Sequence, residues 1–98
     1  MTTKLEKAHM NRVARLGCCV CRRLDYGFVV AQVHHIALGS GKRSPFATAP
    51  LCEEHHKGKS GLHGRGSKAF CSAFRLPGET EYGLLVWVAE DMASDCFK

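Results

Sequence analysis

Long hydrophobic runs are missing from this sequence. The longest, Leu84 to Ala89, falls far below the roughly 18 apolar residues a membrane-spanning helix needs. No segment is expected to cross a membrane. The N-terminal stretch MTTKLEKAHMNRVARLG also lacks the long apolar core of a signal peptide, so secretion is not expected. Internal repeats and low-complexity tracts are absent too. The chain has 98 residues, which suits one domain. A chain this short buries only about two-thirds of its unfolded surface, so its core is modest. Something besides apolar packing has to help hold it together.

Six cysteines and six histidines are the obvious candidates. Three disulfides would suit a secreted miniature protein. Without a secretion signal, a reducing interior is the better expectation. There, cysteines at short spacings with histidines nearby point to zinc. The net charge of +5 and a pI near 9.0 fit a nucleic-acid partner, though many basic proteins bind none.

Residues 4–15 read as a helix, with Leu5, Ala8, Val13 and Leu16 roughly on one side and Gly17 ending it. His9 is expected on its surface. Phe28 to Ile36 reads as a strand, entered through an Asp25-Tyr26-Gly27 turn. Ala37 to Thr48 reads as a long loop, because it holds Gly39, Gly41 and Pro45. Leu51 to Gly58 reads as a turn and a short helix, with Glu53 and Glu54 at its positive end. Four glycines then keep the chain irregular to Ser67, which would cap a helix over residues 68–75. The segment after Pro77-Gly78 fits either helix or strand; its length and acidic start favour a helix, largely buried or facing a partner.

Spacing sorts the metal-binding candidates. Cys18-x-x-Cys21 is one zinc half-site, and Cys52-x-x-His55 is a matching one about 30 residues later. Together they supply the four sulfur and nitrogen ligands of a closed structural zinc. Cys19 is spare, either packed or exposed. Adjacent strand residues point to opposite faces, so His34 and His35 are not expected to share one ion. His55 and His56 diverge by about 100° on a helix, so His55 can complete the knot while His56 faces a second site.

The pattern CVC…VHHI…PLCEEHH…GLH resembles the HNH, or ββα-metal, nucleases. More narrowly, LCEEHHKGKSGLHG and KAFCSAFRLPGETEYGLL resemble the phage recombination-enhancement nucleases of the Ref type, which depend on RecA. The resemblance implies an α+β fold: a small zinc-stabilised ββα-metal domain with flanking helices. The whole chain would be one nuclease domain, with knot and ββα core over residues 17–66 and C-terminal helices over 67–94. It implies His34 and His56 as ligands of a catalytic ion, His35 as general base, and His63 as a further ligand set after a glycine loop. The central Asn of the HNH pattern is missing; Ala47 or Thr48 stands near its place. That Asn is mainly a support, so its loss weakens the name more than the chemistry.

The implied activity is metal-dependent DNA endonuclease cleavage, leaving 5′-phosphate and 3′-hydroxyl ends, in phage DNA recombination or processing. The cofactors would be structural Zn2+ and a catalytic divalent ion. Three imidazole nitrogens suit zinc, nickel, cobalt or manganese better than magnesium, although phosphate and water could supply magnesium's oxygens. DNA and the RecA filament would be partners, and a phage- or prophage-encoded protein of this kind would work in the bacterial cytoplasm. Lys42, Arg43, Lys57, Lys59, Arg65 and Lys68 flank the implied site and are candidates for phosphate contacts. Ordinary surface charge is the alternative for each. The competing functions are a non-catalytic zinc module that binds DNA or a recombination protein, and an adaptor docking through the apolar C-terminal segment.

Overall fold

Thr3 starts the first helix. Its side-chain oxygen accepts from the Glu6 N–H at 3.1 Å, and the Glu6 carboxylate accepts from the Thr3 N–H at 2.8 Å. This reciprocal cap satisfies two N-terminal donors. The helix, α1, spans Lys4–Arg15 as its apolar spacing predicts. A computed structural model of the protein describes residues 3–38, 42–59 and 61–96. Gly17 ends the α1 corner at φ +78, where a Cβ would lie 2.8 Å from the Phe28 ring. Only glycine combines that backbone angle with that contact.

The chain continues as α2 (Cys19–Arg23), β1 (Gln32–Leu38), β2 (Lys42–Leu51), α3 (Glu53–His56), α4 (Leu62–Arg65) and α5 (Ser67–Ala73). A single 3₁₀ turn at Pro77–Glu79 leads into α6 (Gly83–Cys96). The two strands pair antiparallel, with His34 opposite Ala49 and His35 opposite Thr48. The register shifts between His35 and Ala37. Such bulges bend a strand and re-aim its side chains.

Helices α1 and α6 both pack on β2. Val13, Ile36, Leu51, Phe70, Leu76 and Leu84 are buried at the centre. A second tie joins α2 to α6. Arg22 and Arg23 both reach the buried Asp91 carboxylate, at 3.5 and 3.0 Å. Arg23 also pairs with Glu90 at 2.9 Å and lies 4.5 Å over the Trp87 ring.

Several sequence expectations need correction. Of the expected loop over residues 37–48, Ala37 and Leu38 belong to β1 and Lys42 to Thr48 to β2, because the two segments pair antiparallel; residues 39–41 lie outside the described residues. Pro45 is tolerated there because the sheet has two strands, which leaves each with an unpaired edge. The strand starts at Gln32 rather than Phe28; Tyr26, Phe28 and Val30 lie exposed before it. Ser67 is the first residue of α5 and Gly66 stands at the cap. His63 lies within a short helix, α4, rather than on an irregular loop. The C-terminal segment is the helix that its length favours. Among the described residues, no helix is long and apolar enough to cross a membrane.

Candidate metal centres

Two groups of side chains converge. The first holds Cys18, Cys21, Cys52 and His55, all buried, with ligand atoms within 4.8 Å of one another. Cys18 and Cys21 lie around the start of α2; Cys52 precedes α3 and His55 is inside it. The His55 Nδ1 is 3.6, 3.4 and 3.2 Å from the sulfurs of Cys18, Cys21 and Cys52. The Cys21 and Cys52 sulfurs are 3.7 Å apart. Tetrahedral bonds of about 2.3 Å to sulfur and about 2.05 Å to nitrogen put S···S near ~3.8 Å and S···N near ~3.6 Å. The observed spacings fit one tetrahedral ion. The Cys21 N–H donates to the Cys18 sulfur at 3.4 Å, a contact that favours a thiolate. Burial pushes the Cys18 and Cys21 thiols up. Thiols with no cation beside them therefore stay protonated at neutral pH. Cys19 stands outside this group. It is fully buried, and burial pushes its thiol up to about 12.

The second group is His34, His56 and His63, with ligand atoms again within 4.8 Å. His34 comes from β1, His56 from α3 and His63 from α4. His34 and His56 are 6% and 9% exposed, and His63 is exposed. Gly61 packs against the Glu54 and His55 backbone and Gly64 against Gly58, which brings His63 back toward α3; a Cβ on Gly64 would run into the Gly58 carbonyl. The His34 Nδ1 and the His56 Nε2 are 3.3 Å apart.

Each ring's other nitrogen is already engaged. The His56 Nδ1 is 2.8 Å from the Gln32 side-chain oxygen, an acceptor, so this nitrogen carries the proton. The His34 Nε2 is 3.2 Å from the Glu81 carboxylate, also an acceptor. Two lone pairs are then left facing each other. A metal cation between them would relieve that. Two nitrogens on one tetrahedral ion, with bonds of about 2.05 Å, stand about 3.3 Å apart. The donor set therefore fits a divalent ion. Burial, then the neighbouring His34 and His63 rings, lower the pKa of His56 to about 4. Burial also lowers that of His34, although Glu81 pulls the other way.

His35 does not join either group. It borders a cavity of about 240 Å³ that is lined by Val33, His34, His35, His56 and His63. His34 and His56 thus meet, His55 lies with the cysteines, and His35 lines the same cavity as His34 without joining the ligand group. Two larger grooves, of about 330 and 570 Å³, border α1 and α6 and hold no histidine or cysteine.

Lys57, Lys59, Arg65 and Lys68 are exposed around α3, α4 and the start of α5. Arg65 lies 5.6 Å over the Phe74 ring. The side chains of Lys42 and Arg43 lie outside the described residues. His9 is half-buried rather than free, with its ring 5.1 Å from that of Phe46. Sequence reasoning missed Gln32 and Glu81. Gln32 was legible in part: it precedes His34 by two residues on the strand, hence on the same face. Glu81 carried no local signal, because it is 47 residues from its partner.

A family model described as recombination enhancement, RecA-dependent nuclease, matches residues 2–93. No curated protein and no solved structure matches the chain.

Proposed function

The chain belongs to the RecA-dependent nucleases of recombination enhancement, and from that premise we propose a metal-dependent DNA endonuclease of the ββα-metal (HNH) type. The observation that carries this reading is the 3.3 Å approach of two imidazole nitrogens, on His34 and His56, whose other ring nitrogens face acceptor oxygens, beside a cavity lined in part by His35. The order of β1, β2 and α3, with paired histidines on the first strand and on the helix, supports the ββα assignment.

In this reading Cys18, Cys21, Cys52 and His55 hold a structural Zn2+. His34, His56 and His63 hold the catalytic divalent ion. When bound, that ion supplies charge neutralisation at the scissile phosphate and the leaving 3′-oxygen. His35 takes a proton from the attacking water. A positioned imidazole is the commonest general base in such proton transfers. The products are a 5′-phosphate and a 3′-hydroxyl. Lys57, Lys59, Arg65 and Lys68, with Lys42 and Arg43, contact backbone phosphates and fix the strand without reading its sequence. DNA carrying a RecA filament is the partner that the family description supports.

The test is nicking of supercoiled plasmid and of RecA-coated DNA, with zinc, magnesium, manganese, nickel or cobalt added in turn. Cleavage with at least one ion, abolished by chelator, is the expected result. No cleavage under any of these conditions would leave a non-catalytic zinc module.

A further inference from the structure

We propose that Glu81 is a positioning residue for the three-histidine site, holding His34 with its proton on Nε2 so that Nδ1 is offered to the ion. The inference rests on the metal-site reading given above.

His34 Nε2 and the Glu81 carboxylate oxygen are 3.2 Å apart. His34 is a strand residue, and Glu81 arrives from the turn before α6. The contact therefore spans the sheet and the C-terminal helices. A surface carboxylate that wandered could not fix a ring, but this one is well held. Leu76 and Leu84, on either side of the turn, are buried at 2% and 0% exposure. Gly83 closes the turn so tightly that a Cβ would lie 2.5 Å from the Pro77 carbonyl and 3.0 Å from the Leu76 Cβ. The Leu84 N–H donates to the Glu81 carbonyl at 3.0 Å.

Imidazole has two nitrogens, and either can carry the proton. In water the Nε2–H form is modestly preferred, which alone would not hold a buried ring in one orientation. A carboxylate opposite Nε2 fixes both the proton and the ring plane, and it makes Nδ1 the better electron donor. Gln32 does the same for His56 from the opposite nitrogen, at 2.8 Å. The two acceptors together aim Nδ1 of one ring and Nε2 of the other at the same point. The charge of Glu81 adds something Gln32 cannot. Three neutral imidazoles leave a divalent ion uncompensated, and this carboxylate offsets part of that charge from one residue away.

The experiment uses the full chain with zinc already in the knot, and cobalt(II) as the probe for the second site. Cobalt affinity is compared among wild type, Glu81→Ala, Glu81→Leu and Glu81→Gln. Long-range proton–nitrogen spectra of His34 report which ring nitrogen carries hydrogen. Glu81→Ala and Glu81→Leu are expected to weaken cobalt binding by roughly 10- to 100-fold, the usual range for losing a partner of a metal-bound histidine. Both should lose the uniform Nε2–H signature. Glu81→Gln keeps an acceptor oxygen and should restore the signature and most of the affinity. A purely structural Glu81 would lower the melting temperature but leave both readouts of the folded protein unchanged. A Glu81→Leu protein with an intact zinc knot and wild-type cobalt affinity overturns the inference. So does loss of the knot in both Ala and Leu variants, which would make Glu81 a folding residue. A wild-type chain that takes no second ion overturns the three-histidine reading itself, and the inference with it.

Discussion

The Nδ1 of His34 stands 3.3 Å from the Nε2 of His56, and the remaining nitrogen of each ring faces an acceptor oxygen. Side chains buried for packing do not arrange themselves so, because the two lone pairs repel. A divalent cation between them would relieve that repulsion. His63 approaches the same point from α4, and His35 lines the same cavity. The knot 18–21–52–55 lies next door in sequence and separately in space. His55 and His56 fall in the two different groups, so each group can be tested without destroying the other.

Replacing His35 by Ala removes the proposed base and no ligand. The protein should keep its melting temperature and its metal content. Cleavage of supercoiled plasmid should fall by about 10²- to 10⁴-fold, the usual range for losing a positioned general base. A His35→Ala protein that cuts like wild type would assign the base elsewhere.

Cys21→Ala removes one corner of the knot. Structural zinc contributes folding free energy directly, on the order of 10 kcal/mol or more in small zinc modules. Loss of the ion and of most helical circular dichroism is expected, and excess chelator should do the same to wild type. A well-folded, zinc-loaded Cys21→Ala protein would show that the knot does not hold the fold.

Acid should weaken the protein in a defined window. His56 has its pKa lowered from 6.5 to about 4 in the folded chain, mainly by burial. Above pH 6.5 neither state takes up a proton at this site, so the stability contribution is fully present. As pH falls from 6.5 toward 4, the unfolded chain binds a proton that the folded chain refuses, and stability drops. One such proton gives a slope of at most about 1.4 kcal/mol per pH unit. Urea midpoints measured against pH should therefore fall more steeply for wild type than for His56→Gln. Parallel curves would remove His56 as the cause.

Asp91 ties α2 to α6 through two guanidinium groups, at 3.5 and 3.0 Å. Asp91→Ala leaves Arg22 and Arg23 without their buried partner, a loss of about 1–3 kcal/mol. Because α2 carries the knot, zinc release to a chelator should also quicken. Thermal melts and a chromophoric chelator measure the two effects; no change in either would make the tie incidental.

Neutralising Lys57 and Lys59 together should weaken DNA binding evenly across sequences. For every backbone phosphate thereby released, the slope of log affinity against log salt should flatten by about 0.9 on duplex DNA. Binding isotherms at several salt concentrations test this. An unchanged slope would place both side chains away from the backbone.

The knot was legible because its ligands come in two short-range pairs whose spacing is itself the chemical signal. The split of the histidine pairs was legible because strand and helix periodicities are local properties. The second strand was not: residues 42–51 contain two prolines, Pro45 and Pro50, and follow glycines, and only pairing with β1 makes them extended. Long-range pairing of that kind leaves little trace in a local pattern. Glu81 was hidden for a related reason. Its partner lies across the fold, and a glutamate between Thr80 and Tyr82 looks like any surface charge. His63 sat in a glycine-rich stretch that reads as irregular, yet Gly61 and Gly64 pack against the backbone of α3 and Gly58, and His63 falls in the short helix α4.

The central claim is that the chain holds two ions at separate places, one for the fold and one beside His35. Native mass spectrometry of zinc-equilibrated protein tests it directly, with wild type measured beside His56→Ala. Two zinc ions are expected on the wild-type chain and one on the variant, which should still be folded. An equal number on both, or loss of the knot's ion in His56→Ala, would contradict it.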